Sequence, residues 1–221
     1  MSARDVTRTL IGEEIEVTLV KNASLDIQTE HFTAITGPSG SGKSSLLYLL
    51  GLLDRPTSGS INMLGTETTQ LSENDLAEFR LEKLGFIFQF HFLLPEFSAL
   101  ENVCLPMQKL GKLSPKQQKE KGMALLESVG ITEQAHKLPK QMSGGQNQRA
   151  AIARALANDP ALVLADEPTG NLDTHSAATV QQILREIAHT QGRAVVAVTH
   201  DENFASVADK RIHIVDGRIQ A

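Results

Sequence analysis

Short apolar runs alternate with longer amphipathic segments along most of the chain. Each run is rich in β-branched or other apolar residues and is bounded by glycine or polar residues, which is typical of buried strands. The runs are HFTAIT (31–36), ALVLA (161–165), AVVAVT (194–199) and RIHIV (211–215). Helical patterns lie at about 43–53 and 175–189. Strands that alternate with helices in this way predict an α/β fold with a largely parallel sheet covered on both faces.

The pattern differs in the N-terminal part and in the middle of the chain. Further short strands are predicted at IEVTLV (15–20), ASLDI (23–27) and SGSINMLG (58–65). The region 90–159 is helical in character. Its segment SPKQ (114–117) combines a capping serine, a proline at the first helical position and a glutamine at the third, and Gly130 would end that helix. We therefore predict a helical lobe inserted into the α/β core.

The composition is that of an ordinary soluble globular chain. The 221 residues suffice for one domain, and the net charge of -5 gives no general attraction to nucleic acid or anionic lipid. The longest strongly apolar run, at 46–53, is far shorter than the roughly 20 residues of a membrane-spanning helix. No basic-then-apolar signal segment opens the chain, so we expect a cytoplasmic protein. Cys104 is the single cysteine, so no internal disulfide forms, and we expect it to be reduced and partly buried.

The segment GPSGSGKS (37–44) matches the phosphate-binding pattern G-x-x-x-x-G-K-[ST] between a predicted strand and a predicted helix. Its glycines let successive backbone N–H groups face a phosphate, and the helix start adds the positive end of a dipole. Lys43 would reach the β- and γ-phosphates, and the Ser44 hydroxyl would bind Mg²⁺. The predicted nucleotide-binding residues of this loop are Gly37, Pro38, Ser39, Gly40, Ser41, Gly42, Lys43, Ser44 and Ser45.

Polar residues follow the other predicted core strands. Because ligands bind at the carboxyl ends of parallel strands, Asp166 is expected to hold Mg²⁺, directly or through water. The next residue, Glu167, would position or deprotonate the attacking water, and His200 would bind the γ-phosphate. The predicted catalytic residues are thus Glu167, His200 and Lys43. A phosphate loop alone is compatible with kinases, GTPases, helicases and transport ATPases, although the chain lacks the guanine-reading NKxD motif of a GTPase.

The complete set of motifs resembles the ATP-binding cassette (ABC) ATPases over essentially the whole chain. The matching residues, in order, are GPSGSGKS (37–44), Gln89, MSGGQ (142–146), LADE (164–167), GNLD (170–173) and His200. The resemblance implies ATP and Mg²⁺ as ligands. It implies a P-loop core with a mostly parallel sheet, an N-terminal antiparallel β subdomain and an inserted helical lobe. We predict one domain, 1–221, with a nucleotide-binding core at 1–89 and 160–221 and the lobe at 90–159.

The resemblance also accounts for the glycine pair at the start of a helix, where glycine is a poor helix former. Residues 143–146 would contact the γ-phosphate of ATP held by a second subunit, so a homodimer is implied. The predicted residues there are Ser143, Gly144, Gly145 and Gln146, with Asn171, Leu172 and Asp173 at the dimer seam. Gln89 would bind ATP and Mg²⁺ and link the core to an integral-membrane permease. The protein would then lie peripherally on the cytoplasmic face of the inner membrane.

Within the family, the stretches 51–59, 84–103 and 165–173 are most similar to the subgroup that serves lipoprotein release and macrolide export (LolD- and MacB-type). The function expected is therefore that of an ATP-hydrolysing subunit that drives a permease. One alternative is an ATPase of the cell-division (FtsE) type, which regulates a membrane partner without transporting cargo. Another is a soluble ABC-type ATPase acting on DNA or ribosomes. The chain has neither a long coiled-coil insertion nor a second cassette, so no nucleic-acid partner is expected.

The sequence departs from the family pattern at a few positions. Met142 replaces the usual leucine, and Glu30-His31 replaces a Gly-Glu turn before the strand that leads into the phosphate loop. Leu10 stands where many members place an aromatic residue that stacks on adenine, and Tyr48, on the P-loop helix, does not substitute for it. The resemblance therefore implies weaker nucleotide binding or a base held by other contacts.

Overall fold

The computed structural model describes residues 1–12 and 16–220. This part of the chain contains ten strands and seven α-helices. The strands are β1 (Ser2–Ile11), β2 (Glu16–Asp26), β3 (Phe32–Thr36), β4 (Ser58–Met63), β5 (Thr66–Glu67), β6 (Leu84–Phe88), β7 (Leu162–Asp166), β8 (Ala194–Val198), β9 (Lys210–Val215) and β10 (Arg218–Gln220). The helices are α1 (Lys43–Leu50), α2 (Glu73–Lys83), α3 (Ala99–Leu110), α4 (Pro115–Ser128), α5 (Gly144–Ala155), α6 (Thr174–His189) and α7 (Glu202–Ser206).

The larger sheet has the strand order β10-β9-β3-β8-β7-β6. Neighbouring strands from β9 to β6 are parallel, and only β10, which follows the turn at Asp216 and Gly217, pairs antiparallel with its neighbour. Every residue of β3 and of β8 is buried, as expected for strands whose two faces are both covered. The prediction of a largely parallel, doubly covered sheet is confirmed.

The smaller sheet is antiparallel, with the order β2-β1-β4-β5, and it confirms the predicted N-terminal β subdomain. The two short strands predicted at 15–20 and 23–27 form the single strand β2, while Ile15 lies outside the described residues. Strand β1 was not predicted. Its pairing with β2 shifts register repeatedly between Ala3 and Thr9, and Asp5 has a φ of 50°. These irregularities erase the two-residue alternation by which a strand is recognised in a sequence.

Helix α2 was also not predicted, because Leu76 is its one buried residue. Helix patterns depend on a recurring apolar face, and α2 has almost none. Ser72 caps it by accepting a hydrogen bond from the Asp75 amide. The helix-start signature at 114–117 is confirmed: Ser114 caps α4, and Gln117 completes a reciprocal capping box.

Two apolar clusters fill the interior, one on each side of the larger sheet. Val195 and Ala197 of β8 face the cluster that includes α3, α4 and α5, whereas Val196 and Val198 face the cluster formed with α1 and the antiparallel sheet. Because strand residues alternate between faces, a single strand anchors both layers. The helical lobe therefore shares a continuous core with the sheet, and the division at 90 and 159 stays a prediction. Cys104 is buried in the lobe, and burial raises the pKa of its thiol.

The turn before β3 keeps a left-handed backbone despite the absence of glycine. Glu30 has a φ of 62°, and its amide donates to the Arg193 carbonyl at 3.0 Å. A non-glycine residue in this conformation costs about 1–2 kcal/mol. Glu30 therefore imposes local backbone strain in the turn that leads into β3.

Candidate nucleotide-binding and hydrolysis site

The phosphate-loop segment runs from the end of β3 into α1, and its shape requires glycine at two positions. Gly37 has a φ of 145°, and a Cβ there would lie 2.0 Å from the Ile214 carbonyl oxygen. Gly42 has a φ of 99°, and a Cβ there would lie 2.3 Å from the Leu19 carbonyl oxygen. The loop is therefore packed tightly against β9 and β2, which fixes where its backbone N–H groups lie.

Helix α1 starts differently from the other α-helices of the described chain. Its N-cap is Gly42, which has no side chain to accept from the first-turn amides. In contrast, serine or aspartate side chains cap all the others: Ser72, Ser98, Ser114, Ser143, Asp173 and Asp201. The first N–H groups of a helix have no intrahelical acceptor, so this end offers its donors to an external anion.

Two further groups of the loop match a phosphate ligand. Lys43 is largely buried, and its Nζ donates to the carbonyls of Gly37 at 2.9 Å and Pro38 at 2.7 Å, so the ammonium lies over the loop. The buried Ser41 hydroxyl has no hydrogen-bond partner. An orphaned buried hydroxyl is costly and is expected where a ligand completes the site. The Ser41 hydroxyl thus lacks an acceptor, which a phosphate oxygen would supply.

The Asp166 carboxylate connects β7 to helix α1. The Ser44 hydroxyl donates to Oδ1 of Asp166 at 3.0 Å, and the Tyr48 hydroxyl donates to Oδ2 at 2.9 Å. Burial raises the pKa of Tyr48, and the hydrogen bond to Asp166 adds to the effect. Hydroxyl and carboxylate oxygens are ligands that Mg²⁺ takes, so Ser44 and Asp166 fit the ion implied by the family. The described residues contain no cluster of three or more His, Cys, Asp or Glu that could hold a metal ion.

The register of the parallel sheet brings the predicted catalytic pair together. Asp166 is paired with Val198 of the adjacent strand, so the residues that follow both strands meet at one edge. Oε1 of Glu167 lies 2.9 Å from Nδ1 of His200. Glu167 has a φ of 47°, a left-handed conformation that a non-glycine residue adopts only when its surroundings hold it. Its amide donates to the Val198 carbonyl at 3.0 Å, which provides that constraint.

Gln89 follows β6 at the same edge, but its amide faces the predicted dimer-seam loop. Its Nε2 donates to Oδ1 of Asn171 at 3.3 Å, and Gly170 packs against the same side chain. Leu172 packs against the lobe core, and Asp173 caps α6. The hydroxyl and amide of Ser176 hold the pKa of Asp173 below its usual range. A metal contact by Gln89 stays a prediction.

The two glycines of the segment MSGGQ (142–146), called the signature segment below, serve two different purposes. Ser143 caps α5 by accepting from the Gln146 amide at 3.2 Å, while the Gln146 side chain accepts from the Ser143 amide at 2.9 Å. A Cβ on Gly145 would lie 2.5 Å from Oγ of Ser176, so glycine is needed there for packing. A Cβ on Gly144 would meet only Leu172, at 3.8 Å. Gly144 therefore has no structural need for glycine within the subunit.

Comparisons with known proteins agree with this geometry. Residues 20–170 match the family model described as "ABC transporter". The chain is 51% identical over 209 residues to lipoprotein-releasing system ATP-binding protein LolD 1 of Chlorobium chlorochromatii (strain CaD3), covering 95% of this chain and 85% of that protein. It is 44% identical to LolD of Aquifex aeolicus (strain VF5), with 99% and 95% covered.

The chain belongs to the ABC transporter family. Its structure also aligns with the dimeric ATP-binding cassette MJ0796 bound to ADP and Pi, with a TM-score of 0.92 and 38% identity over 100% of this chain and 96% of that one. The resemblance inferred from the motifs is confirmed, and the protein is an ABC-type ATPase of the LolD-like subgroup. In the described residues, no helix combines the length and the apolar character needed to cross a bilayer.

Two residues of α5 link the lobe of this ABC ATPase to the edge of the sheet, and the sequence analysis did not identify them. The buried Gln148 donates from Nε2 to the carbonyls of Phe88, at 3.1 Å, and Pro168, at 2.9 Å. Arg154 donates to the carbonyls of His91 and Phe92 at 2.8 and 2.7 Å. The helix that begins at the signature segment thus holds the chain on either side of Gln89 and the residue after Glu167.

We predict that Gln148→Ala destabilises the isolated subunit by about 2–4 kcal/mol, because the buried Pro168 carbonyl and the partly buried Phe88 carbonyl would lose their donor. Urea unfolding monitored by circular dichroism measures the change. Gln182→Ala is the matched control: that amide is exposed and pairs with Glu186 at 3.0 Å, so its loss should cost at most about 0.5 kcal/mol. Equal stabilities for the two variants would contradict the bridging role of Gln148.

Proposed function

We propose that this protein is the ATP-hydrolysing subunit of a transporter that drives an integral-membrane permease, in lipoprotein release or a related export process. It would work as a homodimer on the cytoplasmic face of the inner membrane. The observation that carries the proposal is the grouping of Ser44, Asp166, Glu167 and His200 at one sheet edge beside the uncapped start of α1. The relatives named for a lipoprotein-releasing system support the assignment of the task.

The residues of this edge divide the work of ATP hydrolysis. Lys43 and the loop amides would hold the β- and γ-phosphates, and Ser44 and Asp166 would hold Mg²⁺, which when bound neutralises charge on those phosphates. Glu167 would orient the attacking water and accept its proton. A neutral His200 that donates from Nδ1 to Glu167 offers only an acceptor at Nε2. Donation from Nε2 to the γ-phosphate therefore requires that both ring nitrogens carry a proton.

The second subunit would complete the site. The Ser143 hydroxyl accepts from the Gln146 amide, so its own proton is still available to donate to a phosphate oxygen. The Gly144 and Gly145 amides lie in the first turn of α5, where donors have no intrahelical acceptor. A two-fold arrangement would place each such helix start against the P-loop of the other copy, with the Asn171–Asp173 loop at the seam. The dimeric state of the cassette MJ0796 supports the homodimer in this proposal.

We infer that the permease docks on the aromatic surface that follows β6. Phe90 and Phe92 are 64% and 62% exposed, and Leu94 and Phe97 are exposed beside them. Clustered exposed aromatic side chains of this kind are typical of surfaces that bind another protein. Arg154 holds the carbonyls of this segment to α5, so a partner docked there would be coupled directly to α5.

We predict that Gly144→Ala abolishes ATP-driven dimerisation without harming the subunit. The Glu167→Gln background is used, because loss of the water-activating carboxylate should slow turnover by about 10²–10⁴-fold and preserve the bound state. In Mg-ATP the parent should sediment as a dimer, whereas the Gly144→Ala version stays monomeric. Its unfolding stability should be equal or up to about 1 kcal/mol higher, because alanine is the better helix former.

Gly145→Ala is the contrasting variant, since its clash with Ser176 should destabilise the subunit by about 1–3 kcal/mol. If the Gly144→Ala chain dimerises as well as its parent, the proposed contact with the partner's nucleotide is wrong.

We predict that the double change Phe90→Ser and Phe92→Ser prevents capture of the membrane partner while ATP affinity is retained, because the serines remove the apolar docking area. Affinity purification from detergent-solubilised membranes, with the bound proteins identified by mass spectrometry, measures this. Leu64→Ser, at an equally exposed leucine in the turn after β4, is the control and should capture the partner normally. Capture of a permease by both variants would contradict docking at this surface. A captured partner that supports no release of lipoprotein would favour the cell-division type of function.

A further inference from the structure

The Tyr48 hydroxyl contacts the Asp166 carboxylate of the candidate hydrolysis site. Tyr48 lies one helical turn after Ser44 on α1, so the two side chains project from the same face. Ser44 donates to Oδ1 of Asp166 at 3.0 Å, and Tyr48 donates to Oδ2 at 2.9 Å. One helix therefore holds both oxygens of this carboxylate. The Tyr48 ring packs against the apolar cluster between the two sheets, which restricts the position of its hydroxyl.

Ser44 and Asp166 are the residues that would hold Mg²⁺. A hydroxyl can ligate a cation through its oxygen and still donate its proton, so the contact between Ser44 and Oδ1 involves the same groups that would bind the ion. The contact at Oδ2 comes from a residue outside that pair. Tyr48 would therefore restrain the rotation of Asp166 independently of the proposed metal ligands.

We propose that Tyr48 is a positioning residue for the magnesium site, and that its hydroxyl keeps Oδ1 of Asp166 directed at the ion. This inference rests on the proposed function. A hydrogen bond donated to the carboxylate has two opposing effects on metal affinity. It withdraws negative charge from the metal ligand, which weakens binding, but it also orders the carboxylate before the metal binds, which strengthens binding. Loss of hydrogen-bonding partners behind metal ligands usually weakens metal binding about 10–100-fold, so the ordering effect dominates.

The test compares how much Mg²⁺ strengthens ATP binding in two full-length chains, Glu167→Gln and Glu167→Gln with Tyr48→Phe. The dissociation constant for ATP is measured by titration calorimetry in excess EDTA and again in excess Mg²⁺. We expect equal ATP affinities in EDTA, since the phosphate loop is unchanged. The strengthening by Mg²⁺ should be about 10-fold smaller in the phenylalanine chain.

The outcomes separate this inference from the proposed function. If Mg²⁺ strengthens binding equally in both chains, Tyr48 has no positioning role while the nucleotide site stands. If affinity falls equally in EDTA and in Mg²⁺, the hydroxyl acts on the fold rather than on the metal site, and the inference is wrong. If the parent chain binds no ATP under either condition, the proposed function itself fails. Thermal melting in EDTA verifies that the phenylalanine variant is folded.

A spectroscopic measurement observes the contact itself. Tyr48 is the only tyrosine of the chain, so ¹³Cζ-labelled tyrosine gives one NMR signal per state. In the Glu167→Gln chain, we expect this signal to stay close to its apo position when Mg-ATP is added. Asp166→Ala, which removes the acceptor, should shift it clearly. Movement of the signal to the Asp166→Ala position on addition of Mg-ATP would show that Tyr48 releases Asp166 when the metal binds, and would overturn the proposal.

Discussion

The site depends on the parallel, in-register pairing of β6, β7, β8 and β3. Phe88 is opposite Asp166, Asp166 is opposite Val198, and Val198 is opposite Ile35. Each strand therefore ends at the same level, and the polar residues that follow are delivered to one edge. A shift of one residue in any pair would exchange the side chains that face the two apolar clusters and remove the polar residue that follows the strand from the group. The apolar clusters on both sides of the sheet thus set the geometry of the chemistry.

The N-termini of α1 and α5 differ in how they are capped. Helix α1 begins at a glycine that leaves its amides without a side-chain cap, and in the proposed function it would bind the nucleotide of its own subunit. Helix α5 has a reciprocal capping box of Ser143 and Gln146, and the fold does not need glycine at Gly144, the first residue of the helix. An open glycine on a capped helix is most simply explained by an approaching partner. The α5 helix also holds the segments beside Gln89 and Glu167, so closure of a dimer would be transmitted to the catalytic edge.

The features that could be predicted from the sequence are those encoded by residues close together in the chain. The buried strands, the phosphate loop, the acid pair and the capped helix α4 all have local signatures. Strand β1 and helix α2 lack them, because the first is interrupted by irregular pairing and the second buries only Leu76. The roles of Gln148, Arg154 and Tyr48 arise from tertiary contacts to residues far away along the chain. Glutamine or arginine in an alanine-rich helix resembles a solvated surface residue until burial is known.

The central claim is that ATP is held through its phosphates by the backbone of the loop at 37–44 and the uncapped start of α1. Amide NMR of the ¹⁵N-labelled Glu167→Gln chain, titrated with Mg-ATP, tests it most directly. The account predicts that the largest shifts occur at the amides of residues 37–45, because donors that bind phosphate become more strongly hydrogen bonded. Lys43→Ala should abolish them. Saturable ATP binding that shifts amides elsewhere and leaves those of the loop unchanged would contradict the account.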